Sequence, residues 1–277
     1  MKKFDRLAIP YLIWMAVLVL IPLLLMTILA ISNNGQTISL TKFSLGFSHF
    51  STVFSSEYLK ALFKSIELAV LSTIGCVLLG YPLAYILARS NMKNKYLCLI
   101  LLLFPMWICM LLRLKIIQKM LSDNGLLETF FGIHIDIAGT ELAVVIVMII
   151  MYLPFMVFPL FTVLEKLDKS LLEASNDLGA NNFKTFIKVT LPLSMKGITS
   201  GVIMVFLPAA TGFAIPQIIG NGKIMLIGNL IENKIMGSKG GLVEYNVGSL
   251  ASLIIMILVL GALFIISKTD EEGETLL

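Results

Sequence analysis

Gly222 and Lys223 form the part of this sequence that comes nearest to a phosphate-binding loop, G-x-x-x-x-G-K-S/T. Gln217 stands where that motif needs its first glycine, and Ile224 replaces the hydroxyl residue that would coordinate magnesium. No serine, histidine and acid share one hydrophobic setting, so a hydrolytic triad is not indicated. The 3 cysteines and 2 histidines lack the spacing of a disulfide framework or a metal site. We therefore expect no catalytic residue, cofactor or metal, and the chain should not be an enzyme.

Polar residues are concentrated in residues 173–192, between two hydrophobic runs. Apolar residues at helical spacing before and after Gly179 predict two short helices in this segment. Glycine readily takes the positive φ that ends a helix, and Asn181 or Asn182 can cap the next one, so we expect a bend at Gly179. Pro192 is expected to end the second helix, because proline lacks the N–H that a helix interior requires.

The composition indicates that most of the chain lies in lipid. Of its 277 residues, 58% are hydrophobic and 14% are charged, and the mean hydropathy is +0.95. Ordinary soluble domains carry about a quarter charged residues. The net charge of +4 is explained by the basic residues that orient membrane proteins, so nucleic acid is not expected as a partner.

Hydrophobic runs predict six transmembrane helices and therefore an all-α, polytopic membrane protein. The predicted spans are 7–31, 65–88, 96–112, 142–164, 197–219 and 247–267. Longer external loops are expected at 32–64 and 220–246. Gly197 and Gly201 have the spacing that allows close contact between helices. We treat residues 1–277 as a single transmembrane domain.

Basic residues predict the orientation of the chain. Six spans place both termini on one side of the membrane, and the segments on that side have the higher density of lysine and arginine. Both termini, and a loop of about 165–194, should therefore face the cytoplasm.

The polar segment closely resembles the EAA loop of membrane permeases in ATP-binding cassette (ABC) importers. The residues of this chain that match the motif are Glu173, Ala174, Ser175, Gly179, Leu191 and Pro192. The resemblance implies that this loop forms short coupling helices, which sit in a cleft of an ATPase subunit and pass its opening and closing to the membrane helices. Ser170 and Glu173 also have the spacing of a capping box, which leaves a structural role open for Glu173.

Over nearly its whole length the chain resembles the permeases of spermidine/putrescine ABC importers, which have the MetI-like fold. The segments that carry the resemblance are 104–107 with Arg113, 139–143, 164–168 and 220–230. They imply the first of two related permease subunits. After Arg113 the family usually continues Thr-Tyr-Ala-Trp, whereas this chain has Leu-Lys-Ile-Ile at 114–117.

Polyamines are cations, so this resemblance implies a translocation path that offers acids and aromatic faces. Glu67 is the first candidate, followed by Trp107, Glu141 and Glu232. Glu67 has a structural alternative, since it is one helical turn from Lys64 and could pair with it. Trp107 has the alternative of simple packing.

We therefore expect a non-catalytic permease subunit of an ABC importer, in the inner or plasma membrane of a bacterium. Its expected partners are a dimer of ABC ATPase subunits, a second permease subunit, an extracytoplasmic substrate-binding protein and membrane lipid. The expected cargo is spermidine and putrescine. Another small solute, such as an inorganic anion or an iron chelate, stays open as an alternative, as does a stand-alone ion-coupled transporter or channel.

Overall fold

The computed structural model describes residues 2–33, 44–90, 92–122, 132, 137–237 and 242–274. Helices occupy most of these ranges. In chain order they are α1 (Lys2–Ala30), α2 (Phe50–Val53), α3 (Ser56–Arg89), α4 (Lys95–Leu103), α5 (Met110–Leu121), α6 (Glu141–Lys166), α7 (Lys169–Asp177), α8 (Asn182–Leu193), α9 (Met195–Thr211), α10 (Ala214–Ile219), α11 (Ile227–Met236) and α12 (Tyr245–Glu274).

Four helices of the described chain are long and apolar enough to cross a membrane, namely α1, α3, α6 and α12. Two further pairs pass the same test together, but each pair is bent, by 93° between α4 and α5 and by 62° between α8 and α9. The described residues therefore hold up to six spans if each bent pair counts as one. This confirms an all-α, membrane-spanning fold.

The predicted third span, 96–112, is wrong as a single helix. α4 ends at Leu103, a 3₁₀ turn occupies Phe104–Trp107, and α5 begins only at Met110. The break lies at Pro105, which favours it because a proline has no N–H for the carbonyl four residues earlier. Extended backbone at Ile108 and Cys109 then turns the chain into α5.

The predicted fifth span, 197–219, is also interrupted. α9 ends at Thr211, and α10 begins at Ala214. Gly212 between them has an extended backbone, and its N–H still donates to the carbonyl of Pro208 at 3.0 Å.

Helices also lie inside both predicted external loops. α3 begins at Ser56, nine residues before the predicted start of its span at Ser65, because its polar first turns are helical without being apolar. α11 lies within the predicted 220–246 loop, where Ile227 and Leu230 are buried although its second half carries Glu232 and Lys234. Hydropathy alone misses such helices, because only one of their faces is apolar.

The chain forms two compact units. The first consists of Met1–Leu62 with Ile227–Leu258. Within it, the ring of His49 hydrogen-bonds the carbonyl of Ala30 at 2.6 Å, and Lys234 pairs with Glu244 at 2.9 Å. The second unit consists of Phe63–Leu226 with Val259–Leu277 and contains α6, which supplies more buried side chains to its core than any other described helix.

α6 and α9 pack closely through the two glycines predicted to allow such a contact. Gly197 and Gly201 are both buried in this packing. A Cβ at Gly197 would lie 3.2 Å from the Cα of Leu160 and from Val163, and one at Gly201 would lie 2.5 Å from the sulfur of Met156. The absence of side chains at these two positions lets the helix backbones approach.

We predict that Gly197→Ile destabilises the protein by roughly 1–3 kcal/mol, because a branched side chain must force α6 and α9 apart. The unfolding temperature in detergent should fall by several degrees. Gly261→Ile is the matched control, since a Cβ at that position of α12 meets nothing within 4 Å. Equal unfolding temperatures for the two variants would show that the glycine contact does not limit the packing.

Candidate functional site

The segment that resembles the EAA loop begins with a capped helix. The side chain of Asp168 accepts a hydrogen bond from the amide of Ser170 at 3.0 Å and so caps α7. The structural alternative for Glu173 is therefore wrong: Ser170 lies inside the helix, because Asp168 starts it two residues earlier. Glu173 is exposed and does not belong to a capping box.

The hydrogen bond from the Ser170 N–H to the Asp168 carboxylate makes the stability of this cap depend on pH. It stabilises the carboxylate form, so the pKa of Asp168 lies below its usual value. A lowered pKa means that this cap contributes its stabilisation above the ordinary aspartate pKa and loses it as the pH falls through the lowered one. At neutral pH the cap is fully formed.

α7 ends at the predicted glycine. Gly179 has φ +80°, and three amides close the end of the helix: Leu178 N–H donates to Ala174 O, Gly179 N–H to Asn176 O, and Ala180 N–H to Ser175 O, at 2.9–3.1 Å. The last two bonds form a Schellman motif, which requires the left-handed conformation at its glycine. The predicted bend is confirmed.

The second helix begins as predicted but does not end where predicted. Asn181 caps α8, since its side chain accepts from the amide of Lys184 at 2.8 Å. Pro192 does not terminate α8, which continues to Leu193. Residues Phe186–Thr190 form a π-helical stretch before the proline, and this wider turn accommodates the missing N–H and the ring. The chain then bends at Ser194 into α9.

Side chains tie α7 to α8. The hydroxyls of Ser175 and Thr185 hydrogen-bond at 3.0 Å, and the Thr185 hydroxyl donates to the side chain of Asn176 at 3.3 Å. Ser175 therefore has a structural role in holding the two helices at a fixed angle. An alanine at this position could not make that bond.

Contacts at the end of α6 hold the start of the segment in place. Lys95 pairs with Glu165 at 2.9 Å, and the Tyr96 hydroxyl donates to Glu165 at 2.6 Å. Arg89 donates to the carbonyl of Leu167 at 3.3 Å. These contacts connect the residues before α7 to the end of α3 and the start of α4.

Large apolar side chains lie exposed on this otherwise polar segment. Leu178 is 89% exposed and Phe183 is 70% exposed, and Leu171 and Ile187 are exposed as well. A group of exposed apolar side chains on a short, well-ordered segment is typical of a protein interaction site.

The structure brings together two of the predicted pathway residues, both in the second unit. The ammonium of Lys64 lies 3.1 Å from a carboxylate oxygen of Glu67 and 2.6 Å from one of Glu141. Pairing of Glu67 with Lys64 was the structural alternative, and it is confirmed. The second carboxylate joins from the first turn of α6, a contact that no local spacing could predict.

The other two predicted pathway residues belong to other elements. Trp107 belongs to the 3₁₀ turn after α4 and is 82% exposed. Its ring lies beside that of Phe104, with centroids 6.1 Å apart. Glu232 lies on α11, in the first unit.

A cavity of about 800 Å³ lies between α5, α6, α9 and α10. Its walls are largely methionine and aromatic side chains, including Tyr152, Phe155 and Phe213. Among the described residues that line it, Arg113 alone carries a charge, and the four predicted pathway residues do not line it. Arg113 was among the residues that carried the family resemblance, but no pattern in the sequence predicted a cavity beside it.

Comparison with known proteins gives a consistent result. Residues 3–269 match the family model described as binding-protein-dependent transport system inner membrane component. The chain is 32% identical to the spermidine/putrescine transport system permease protein PotB of Haemophilus influenzae, over 98% of this chain and 95% of that protein. It is 33% identical to the protein of the same name in Escherichia coli, over 79% of this chain and 82% of that one.

A solved structure shares the fold. The chain superposes with a TM-score of 0.76 on a chain of a bacterial ABC transporter involved in the import of the acidic polysaccharide alginate, covering 98% of this chain and 96% of that one at 16% identity. This likeness concerns the fold alone. The resemblance to permeases of spermidine/putrescine importers, inferred above from motifs, is confirmed, and the chain belongs to the family of inner membrane components of binding-protein-dependent transport systems.

Proposed function

We propose that this chain carries spermidine and putrescine into the cytoplasm as one permease subunit of an ABC importer. The observation that carries the proposal is its 32% identity, over nearly the full length of both chains, to a spermidine/putrescine permease. The exposed coupling segment supports the same conclusion, because a stand-alone carrier has no use for one. Residues 1–277 then act together as one permease domain.

The coupling segment, residues 165–194, faces the cytoplasm in this proposal, as do both termini. Glu173 and Ala174 are exposed on α7, and the apolar side chains of Leu178 and Phe183 extend from the same segment. These residues contact a partner ATPase subunit, where ATP is hydrolysed. Leu191 and Pro192, both half-buried, lie at the end that continues into the membrane.

The other partners follow from the same proposal. A second permease subunit supplies the other half of the pore, and an extracytoplasmic binding protein delivers the substrate. Alternating access then arises when closure of two ATPase subunits around ATP moves the coupling segments of both permeases.

Glu67 and Glu141 are the acids that we propose to receive the substrate. They share one ammonium group, that of Lys64, so the three side chains together keep one negative charge. A polyamine offers ammonium groups of the same chemistry as Lys64 and can replace it between the two carboxylates. Trp107, with its exposed aromatic face, and Glu232 on α11 are proposed as further contacts along the path.

A second candidate cargo is an inorganic anion. Arg113, the charged side chain that lines the cavity of the second unit, favours it, because an arginine in an apolar setting attracts anions and repels cations. The two cargoes are distinguished by direct uptake measurements.

Uptake of labelled spermidine tests the proposed cargo. The chain is reconstituted in vesicles with its candidate partner permease, ATPase and binding protein, with and without ATP on the cytoplasmic side. We predict ATP-dependent uptake that putrescine inhibits. If the ATPase assembles with this chain but spermidine is not transported, the proposed cargo is wrong. Transport without the ATPase would contradict the assignment to ABC importers.

The same uptake assay tests the role of Glu67 and Glu141, because the proposal predicts whether each substitution raises or lowers the KM for spermidine. Glu67→Gln and Glu141→Gln should raise the KM for spermidine, whereas Lys64→Gln should lower it, because the competing ammonium is gone. Exposed ion pairs of this kind contribute about 0.2–1 kcal/mol, so changes of roughly two- to fivefold are expected. Lys234→Gln, which breaks a one-to-one pair of similar length, is the control and should leave KM unchanged. A shift of KM in one direction for all three variants would mean that the cluster is only a structural contact.

Gly179 tests the coupling role of the bend. A Cβ there meets nothing within 4 Å, so a substitution acts only through the positive φ. Valine is strained in that conformation by about 1–2 kcal/mol, whereas asparagine adopts it readily. We predict that Gly179→Val loses most ATP-driven uptake at a normal level of membrane insertion and that Gly179→Asn retains it. Normal uptake by the valine variant would contradict the coupling assignment.

A further inference from the structure

The bend between α8 and α9 is held by a buried hydrogen bond to a different helix. Ser194, at the bend, is fully buried, and its hydroxyl lies 2.8 Å from that of Tyr81 on α3. The Ser194 hydroxyl also donates to the carbonyl of Leu191 at 2.9 Å. A serine hydroxyl has one hydrogen, so Tyr81 is the donor and Ser194 the acceptor in the bond between them.

A second contact joins the same two helices. The ring of Phe186, at the start of the π-helical stretch, meets the rings of Tyr81 and Tyr85 edge-on, with centroids 5.6 and 5.8 Å apart. Tyr81 and Tyr85 are one helical turn apart, so they present a single face of α3. α8 is therefore attached to α3 at both ends of its second half, by rings at Phe186 and by a hydroxyl at Ser194.

α3 is weakened next to this attachment. Pro82 lies inside the helix, directly after Tyr81. Because proline has no N–H, the carbonyl of Leu78 lacks its normal helical donor, and the helix can bend there at lower cost than elsewhere. A displacement of Ser194 thus reaches α3 at the turn that resists bending least.

We propose that Tyr81 is a positioning residue for coupling: its hydroxyl transmits the movement of the coupling segment to α3, so that residues 83–89 move about Pro82 when ATP binds. This goes beyond two connections already described: the chain itself joins the segment to α9, and Arg89 at the end of α3 donates to the carbonyl of Leu167. It rests on the proposed ATP-driven function but not on the identity of the cargo.

The test compares Tyr81→Phe with Tyr85→Phe in the assembled complex with its ATPase. Each variant keeps its ring, and only the first removes a hydroxyl with a hydrogen bond in the described structure. Hydrogen–deuterium exchange of residues 83–89 is measured with and without bound ATP. We expect ATP to change exchange in the wild type and in Tyr85→Phe, and to change it at least threefold less in Tyr81→Phe.

A second variant tests whether the hydrogen bond between Tyr81 and Ser194, rather than packing of the Tyr81 ring, transmits the movement. Ser194→Ala removes the acceptor, so it should reproduce the effect of Tyr81→Phe, and combining the two should add nothing. Spermidine transported per ATP hydrolysed should fall by a similar factor, with ATPase activity retained. An exchange response in Tyr81→Phe equal to that of the wild type overturns the inference, and so does a wild-type α3 that does not respond to ATP. Failure to transport spermidine, with the exchange response intact, would instead contradict only the cargo.

Discussion

Hydrocarbon offers no hydrogen-bond partner to a peptide group, so every part of this chain that crosses a membrane must satisfy its N–H and C=O groups within a helix. The four long apolar helices meet this requirement except where a proline inside them removes an N–H, as Pro82 does in α3. The breaks at Pro105, Ser194 and Gly212 depart from it, and each has a local answer: a 3₁₀ turn, a serine hydroxyl on the Leu191 carbonyl, and a retained bond to the Pro208 carbonyl. At these three breaks, other groups of the chain replace lost helical bonds.

The coupling segment obeys a different constraint, because it is polar and exposed. Its shape is determined locally by the Asp168 cap, the Gly179 bend and the Asn181 cap, and the Ser175–Thr185 bond fixes the angle between its helices. These contacts hold the two helices of the segment together. Its exposed side offers Leu178 and Phe183, while its buried side is attached to α3 and continues into α9. That arrangement suits the transfer of movement from a soluble partner to membrane helices.

Local features were predictable from the sequence, and contacts between distant residues were not. Gly179 and Asn181 act through their own backbones, so their roles follow from residue type and spacing. Pro192 was misjudged because a π-helical turn lets a helix continue through a proline. The hydropathy pattern did not predict α11, because this helix is amphipathic. The pairing of Lys64 with Glu141 and of Tyr81 with Ser194 depends on which helices are neighbours, which local spacing does not reveal. The motif resemblance supplied the family, which composition and periodicity alone could not.

The central claim is that residues 165–194 dock on an ATPase subunit and drive this permease. A photo-crosslinking amino acid at position 178 tests it most directly, with Met92, an exposed residue in the connection between α3 and α4, as the control position. The account predicts that illumination of the assembled complex links position 178 to the ATPase and leaves position 92 unlinked. A complex that assembles without any link from position 178, or that links equally from both positions, would contradict it.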